Sequence, residues 1–216
     1  MEYRVSRLFD GRSFAIRLVE GKAEGVTRVE PDSCVHHSPI PSVKSPEECS
    51  DLDIDVAFMK GEMKNFPEAD EIVAEGREYP YHFRVVDEAS LLGRSVRPSL
   101  KHHVWLKFKF PIPPSDDSLH RVALLFISDT GHTLAIFRPH TINGFIPSMN
   151  FTLNHSIHFH APHFRADEWM LMEMESTNSK NSRGFGRAQI WSRGGELIAT
   201  VTQEALIRTR GEVSRL

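Results

Sequence analysis

The sequence is short of the features that would hold it together from outside a core. Two cysteines, Cys34 and Cys49, in 216 residues cannot build a disulfide framework, and their scarcity fits a reducing compartment. No apolar run approaches the length needed to span a bilayer, and no amino-terminal signal peptide is visible. A soluble intracellular protein is therefore expected. Neither charge sign dominates: 26 Lys and Arg face 29 Asp and Glu, a net −3 with a pI near 6.5. That balance gives no electrostatic reason to bind nucleic acid or an anionic membrane. What is present is a 40% hydrophobic content, enough for the core of one or two domains.

The most patterned stretch runs from Asn150 to Arg208. Strict alternation divides its first part into two faces, with Phe151, Leu153, Ile157 and Phe159 on one and Asn154, Ser156, His158 and His160 on the other. His155 interrupts the apolar row. A second run carries Met170, Met172 and Met174 on one face. Two more, around Arg187–Trp191 and Leu197–Ile207, are joined by Ser-Arg-Gly-Gly, a turn-rich hairpin join. Four consecutive antiparallel strands are expected.

In the last of these, Leu197, Ala199, Val201, Gln203, Ala205 and Ile207 share a face. Gln203 is the one polar member, and a buried amide must find partners or cost about 1–3 kcal/mol. Gly184 and Gly186 stand inside a strand pattern, which points to a bulge or a close approach by substrate or backbone. His155, His158, His160 and His163 are dense, but they lack nearby cysteines and metalloprotease spacing, so neither a metal nor another cofactor is expected.

Elsewhere, Tyr3 to Val19 reads as a hairpin turning at Asp10-Gly11. Residues Pro31 to Ser50 read as loop, with Ser45-Pro46-Glu47-Glu48 shaped like a helix start. Pro67–Glu75 is a short helical candidate. Tyr79–Val86, Val104–Phe110 and Leu119–Ile127 read as strands. A helix is expected over Asp129–Arg138, capped by Ser128-Asp129 and stopped by Pro139.

The motifs N-H-S-x-x-F-H-A-P, E-S-T, S-R-G-F and T-Q-E-A-L-I-R, in that order between Asn150 and Arg208, resemble the type II acyl-CoA thioesterases, bacterial and peroxisomal. That resemblance implies an α+β double hot-dog fold, each unit an antiparallel sheet wrapped around a central helix. Residues 1–126 would be a partial first hot dog with an irregular insertion at about 31–78, residues 127–210 the second, and 211–216 a flexible tail. The family's first strand, helix and next strand have no counterpart ahead of the hairpin, so the first hot dog is expected to be incomplete.

The resemblance further implies hydrolysis of fatty acyl-CoA by a water held at Asn154, Thr177 and Gln203. The family carries Asp where this chain has Asn154. An amide cannot accept the water's proton, so weakened activity is expected, and Asn154→Asp should restore it. The alternative is an inactive acyl-CoA-binding or partner subunit. Homo- or hetero-assembly with hot-dog subunits is expected. Ser214-Arg215-Leu216 resembles the peroxisomal address, implying the import receptor as a partner and the peroxisomal matrix as location.

Overall fold

The computed structural model describes residues 2–10, 15–22, 34–49, 79–91, 95, 97, 99–141, 143, 145 and 147–209. The Pro67–Glu75 helix and the Ser214–Leu216 tripeptide lie outside these residues. The chain divides into two compact units, Met1–His37 and Ser38–Leu216.

The first unit contains the expected hairpin. Strands β1 (Glu2–Asp10) and β2 (Ala15–Lys22) pair antiparallel from Glu2↔Lys22 to Asp10↔Ala15, with a register shift between Arg7 and Phe9.

Among the described residues, the second unit is built on one six-stranded sheet. Its strands are β3 (Tyr81–Val85), β4 (Lys101–Phe108), β5 (Pro147–Phe159), β6 (Met170–Lys180), β7 (Arg183–Ser192) and β8 (Leu197–Thr209). They run in the order β3-β4-β6-β7-β8-β5, every pairing antiparallel. A short helix, α1 (Glu88–Leu91), lies between β3 and β4. The strands before and after residue 126 thus hydrogen-bond into a single sheet. A boundary at 126/127 would pass between strands of one layer, because β4 pairs with β6 from Lys101↔Glu175 to Leu106↔Met170.

The expectation for Leu119–Ile127 is corrected: this segment belongs to helix α2 (Asp117–Ile127). Asp116 caps it, its carboxylate accepting the Leu119 N–H at 2.9 Å. His120, Ala123, Leu124 and Ile127 are its buried residues, the spacing of one helical face. Helix α3 (His132–Thr141) starts three residues later than Asp129, and Pro139 sits inside it. Proline removes one N–H near the end of the helix, where few intrahelical bonds follow. The Thr141 hydroxyl donates to the Arg138 carbonyl at 2.8 Å and ties down the last turn.

Alternation holds where the core demands it. Met170, Met172 and Met174 are buried on the inner face with Ile190, Val201 and Ile207, each such side chain worth about 1.5–3 kcal/mol on burial. Helix α3 packs on this face, and the two glycines of β7 let it do so. A Cβ on Gly184 would strike Ile136 Cγ2 and come within 2.6 Å of Ile207 Cδ1, and one on Gly186 would lie 2.9 Å from His132 Nε2. The close approach is made by a helix. Gly184→Ala is accordingly expected to cost about 1–3 kcal/mol by overpacking, read as a lower midpoint in urea unfolding; an unchanged midpoint would refute this account.

On the opposite face, Trp105, Leu171 and Trp191 form a cross-strand row. The irregular segment 38–49 lies over it as a strap. Cys49 packs with Trp105 and Leu171. The Trp105 indole donates to the Lys44 carbonyl and the Trp191 indole to the Ser38 carbonyl, both at 2.9 Å. Within the strap, Pro46–Glu48 forms the expected turn as a 3₁₀ helix, and the Glu48 carboxylate accepts the Ser45 N–H at 2.8 Å.

Candidate active site

Strand β5 has a register shift between Thr152 and Asn154 where it pairs with β8. Ahead of it, Asn150 and Thr152 stand opposite the buried Ile207 and Ala205; beyond it, His155 stands opposite Gln203. The inserted residue exchanges the two faces. The strictly alternating reading of this strand is corrected accordingly. Phe151 and Leu153 are exposed, at 59% and 46%, and His155 turns inward.

A polar cluster results on the inner face, over the turn that joins α2 to α3. Gln203 is fully buried. Its side-chain nitrogen donates to Asp129 Oδ1 at 2.6 Å and to Thr152 Oγ1 at 2.7 Å. The Thr152 hydroxyl in turn reaches Asp129 Oδ1 at 3.4 Å. An amide has two N–H donors, so both are used, and its oxygen faces away from the carboxylate. That oxygen, Oε1, is buried without a hydrogen-bond partner. A buried acceptor left open inside a polar cluster suits a water or a substrate donor.

Around this core stand three further groups. Asn150 donates to Thr133 Oγ1 at 3.1 Å. His155 Nε2 lies 3.3 Å from Ser128 Oγ. Burial pushes the His155 imidazole below its usual range, opposed by the charge of Asp129. His132 is buried deeper, with its pKa pushed down to about 4 by desolvation and by His155. The first N–H groups of α3 begin beside Asp129, after Gly131 at φ 73°; helix N-termini leave such donors without intrahelical partners and favour negative charge.

Of the three positions implied by resemblance, the structure places only Gln203 here. Asn154 is exposed, pairs across the strands with Glu204, and accepts a hydrogen bond from Ser156 Oγ at 3.2 Å. Thr177 is exposed too, its hydroxyl donating to the Phe185 carbonyl at 3.0 Å. Ser176, in phase with the buried Met170, Met172 and Met174, faces inward and donates to the Ile136 carbonyl at 3.0 Å, and a second register shift follows it, between Ser176 and Asn178. Asp129 and Thr152 were missed as site residues. The His that breaks the apolar row of β5 was the available signal.

The four clustered histidines do not converge. His160 meets Thr200, His163 meets Asp117, and His158 is exposed. Among the described residues no group of three His, Cys, Asp or Glu side chains could hold a metal ion, and no helix is long and apolar enough to cross a membrane.

An antiparallel sheet wrapped on a central helix, with a polar cluster at the helix start, defines the class: a hot-dog protein. The acyl-CoA thioesterase II TesB2 of Mycobacterium marinum superposes with a TM-score of 0.62 at 23% identity, over 97% of this chain and 74% of that one. The family model of the acyl-CoA thioesterase C-terminal domain matches residues 46–207. Human acyl-coenzyme A thioesterase 8 is 31% identical over 98% of this chain and 69% of its own length. Acyl-CoA thioesterase 2 of Haemophilus influenzae is 28% identical over 95% and 73%. The chain belongs to the acyl-CoA thioesterase family.

Proposed function

We propose that this protein hydrolyses fatty acyl-CoA thioesters to free acid and CoA, in the polar cluster around Gln203. The observation that carries this reading is the open Gln203 Oε1, fully buried while its nitrogen is held by Asp129 and Thr152. An acceptor fixed in this way can orient an attacking water. The amide N–H groups at the start of α3 are suited to the oxyanion of the tetrahedral intermediate. Hydrolysis is favoured over a binding-only role by relatives named as thioesterases across nearly the whole chain.

Asn154 and Thr177 keep the positions implied by resemblance but not the proximity, so this reading draws on Gln203 alone among the three. The peroxisomal matrix, read from Ser214, Arg215 and Leu216, and assembly with further hot-dog subunits are parts of the same proposal.

The test is release of CoA thiol from medium- and long-chain acyl-CoA by the purified chain. Thiol and free acid should appear in equal amounts, well above the uncatalysed rate. No release at any chain length would overturn the reading.

A further inference from the structure

We infer that Asp129 is the carboxylate that takes the proton of the hydrolytic water, the task for which Asn154 has the wrong chemistry and the wrong place. This deepens the hydrolytic reading and rests on it.

The carboxylate is held but not saturated. Oδ1 accepts from Gln203 at 2.6 Å and from Thr152 at 3.4 Å, while Oδ2 accepts no hydrogen bond among the described residues. Asp129 is exposed, so its carboxylate is accessible to water while Gln203, which holds it, is fully buried. A general base needs this combination: one oxygen to fix its orientation, the other left for the proton it abstracts.

The partners confirm one another's roles. Were the Gln203 amide reversed, its oxygen would face a carboxylate oxygen at 2.6 Å, acceptor against acceptor; the charge of Asp129 therefore sets the amide. Asn154, by contrast, sits beyond the register shift on the other face of β5, where its Oδ1 accepts from Ser156.

His155 is the competing base, and its hydrogen bonding argues against it. The Ser128 hydroxyl donates to the Leu125 carbonyl at 3.0 Å. Its oxygen must then accept from His155 Nε2, 3.3 Å away. That nitrogen then carries the ring proton, so the lone pair of a neutral His155 lies on Nδ1, the nitrogen turned from Ser128.

The reaction balances through Asp129. The water oxygen bonds to the thioester carbonyl carbon as one of its protons passes to Oδ2. The carbonyl re-forms, the C–S bond breaks with its electron pair on sulfur, and the proton on Asp129 passes to that sulfur. The products are a carboxylic acid and CoA thiol.

The experiment follows thiol release from a long-chain acyl-CoA by the whole chain and three variants. Asp129→Asn keeps an acceptor for Gln203 and loses only the base. Its kcat should fall about 100-fold or more, with KM within about threefold. Asp129→Ala should be as slow and should regain about tenfold on addition of formate, a small carboxylate that restores the base but not a fold. Asn154→Asp should remain within about twofold of the parent, since its side chain faces outward. An active parent whose Asp129→Asn variant keeps its kcat within threefold overturns the assignment. So does an Asp129→Ala variant that formate leaves silent, or a tenfold gain from Asn154→Asp. A parent that releases no CoA overturns the hydrolytic reading itself, a separate failure.

Discussion

Gln203→Ala is expected to lower acyl-CoA turnover by about 100-fold or more, the scale of losing one preorganised polar group at a reacting centre. Two effects combine. The open Oε1 disappears, and with it the proposed hold on the water. Asp129 and Thr152 also lose the donor that aligns them. Stability should fall as well, by roughly 1–3 kcal/mol, because a fully buried side chain is removed and its partners are left unmet. The two losses are separable: kcat is measured on protein shown by its unfolding curve to be native at the assay temperature. Turnover that survives in this variant, in an otherwise active chain, would place the water elsewhere.

The second large effect is acid destabilisation in two stages. His132 and His102 are both buried, and desolvation pushes each imidazole down to about 4, with Arg138 adding to the effect on His102. Above the unfolded value of 6.5 both are neutral in both states and stability is complete. Between 6.5 and about 4 the unfolded chain takes up protons that the folded chain refuses, so stability falls with pH and levels off below. Each residue can contribute on the order of 3 kcal/mol over that window. Asp167 acts later. The Arg165 guanidinium, 2.7 Å away, holds its carboxyl below the usual range, so its contribution is lost only below about its ordinary value of 3.8. Urea midpoints at pH 7.5 and 4.5 should differ strongly in the parent and less in His132→Gln. Equal midpoints at the two pH values would show that the buried imidazoles are not held neutral.

The strands after residue 150 were legible because one face of each is buried, and a period of two is the direct trace of that. The Met170–Met174 row and the place of Gln203 followed from it. Helix α2 was misread because Leu119–Ile127 is apolar nearly throughout, and such a run does not declare its period; the Asp116 cap and the His120–Ala123–Leu124–Ile127 spacing were the better guides. The face exchange in β5 was harder. One extra residue at Thr152–Asn154 leaves alternation intact on either side, so Ile157 and Phe159 beyond it pack on the core as expected while Phe151 and Leu153 ahead of it, read as the same face, are exposed. Asp129 was read as a helix cap because its partner Gln203 is 74 residues away, a distance that no local pattern spans.

The strap has a consequence for how the molecule assembles. Its ties to β7 and the turn after it are remote in sequence: Ser38 to Trp191 spans 153 residues and Glu47 to Arg193 spans 146. Closing loops of that size costs entropy before any contact repays it, and such contacts slow folding. On the ribosome the strap emerges early, but its landing row of Trp105, Leu171 and Trp191 is complete only once β7 has been made. The first part of this unit to be synthesised is thus among the last to dock, and until then the two indoles have neither their apolar cover nor their carbonyl acceptors.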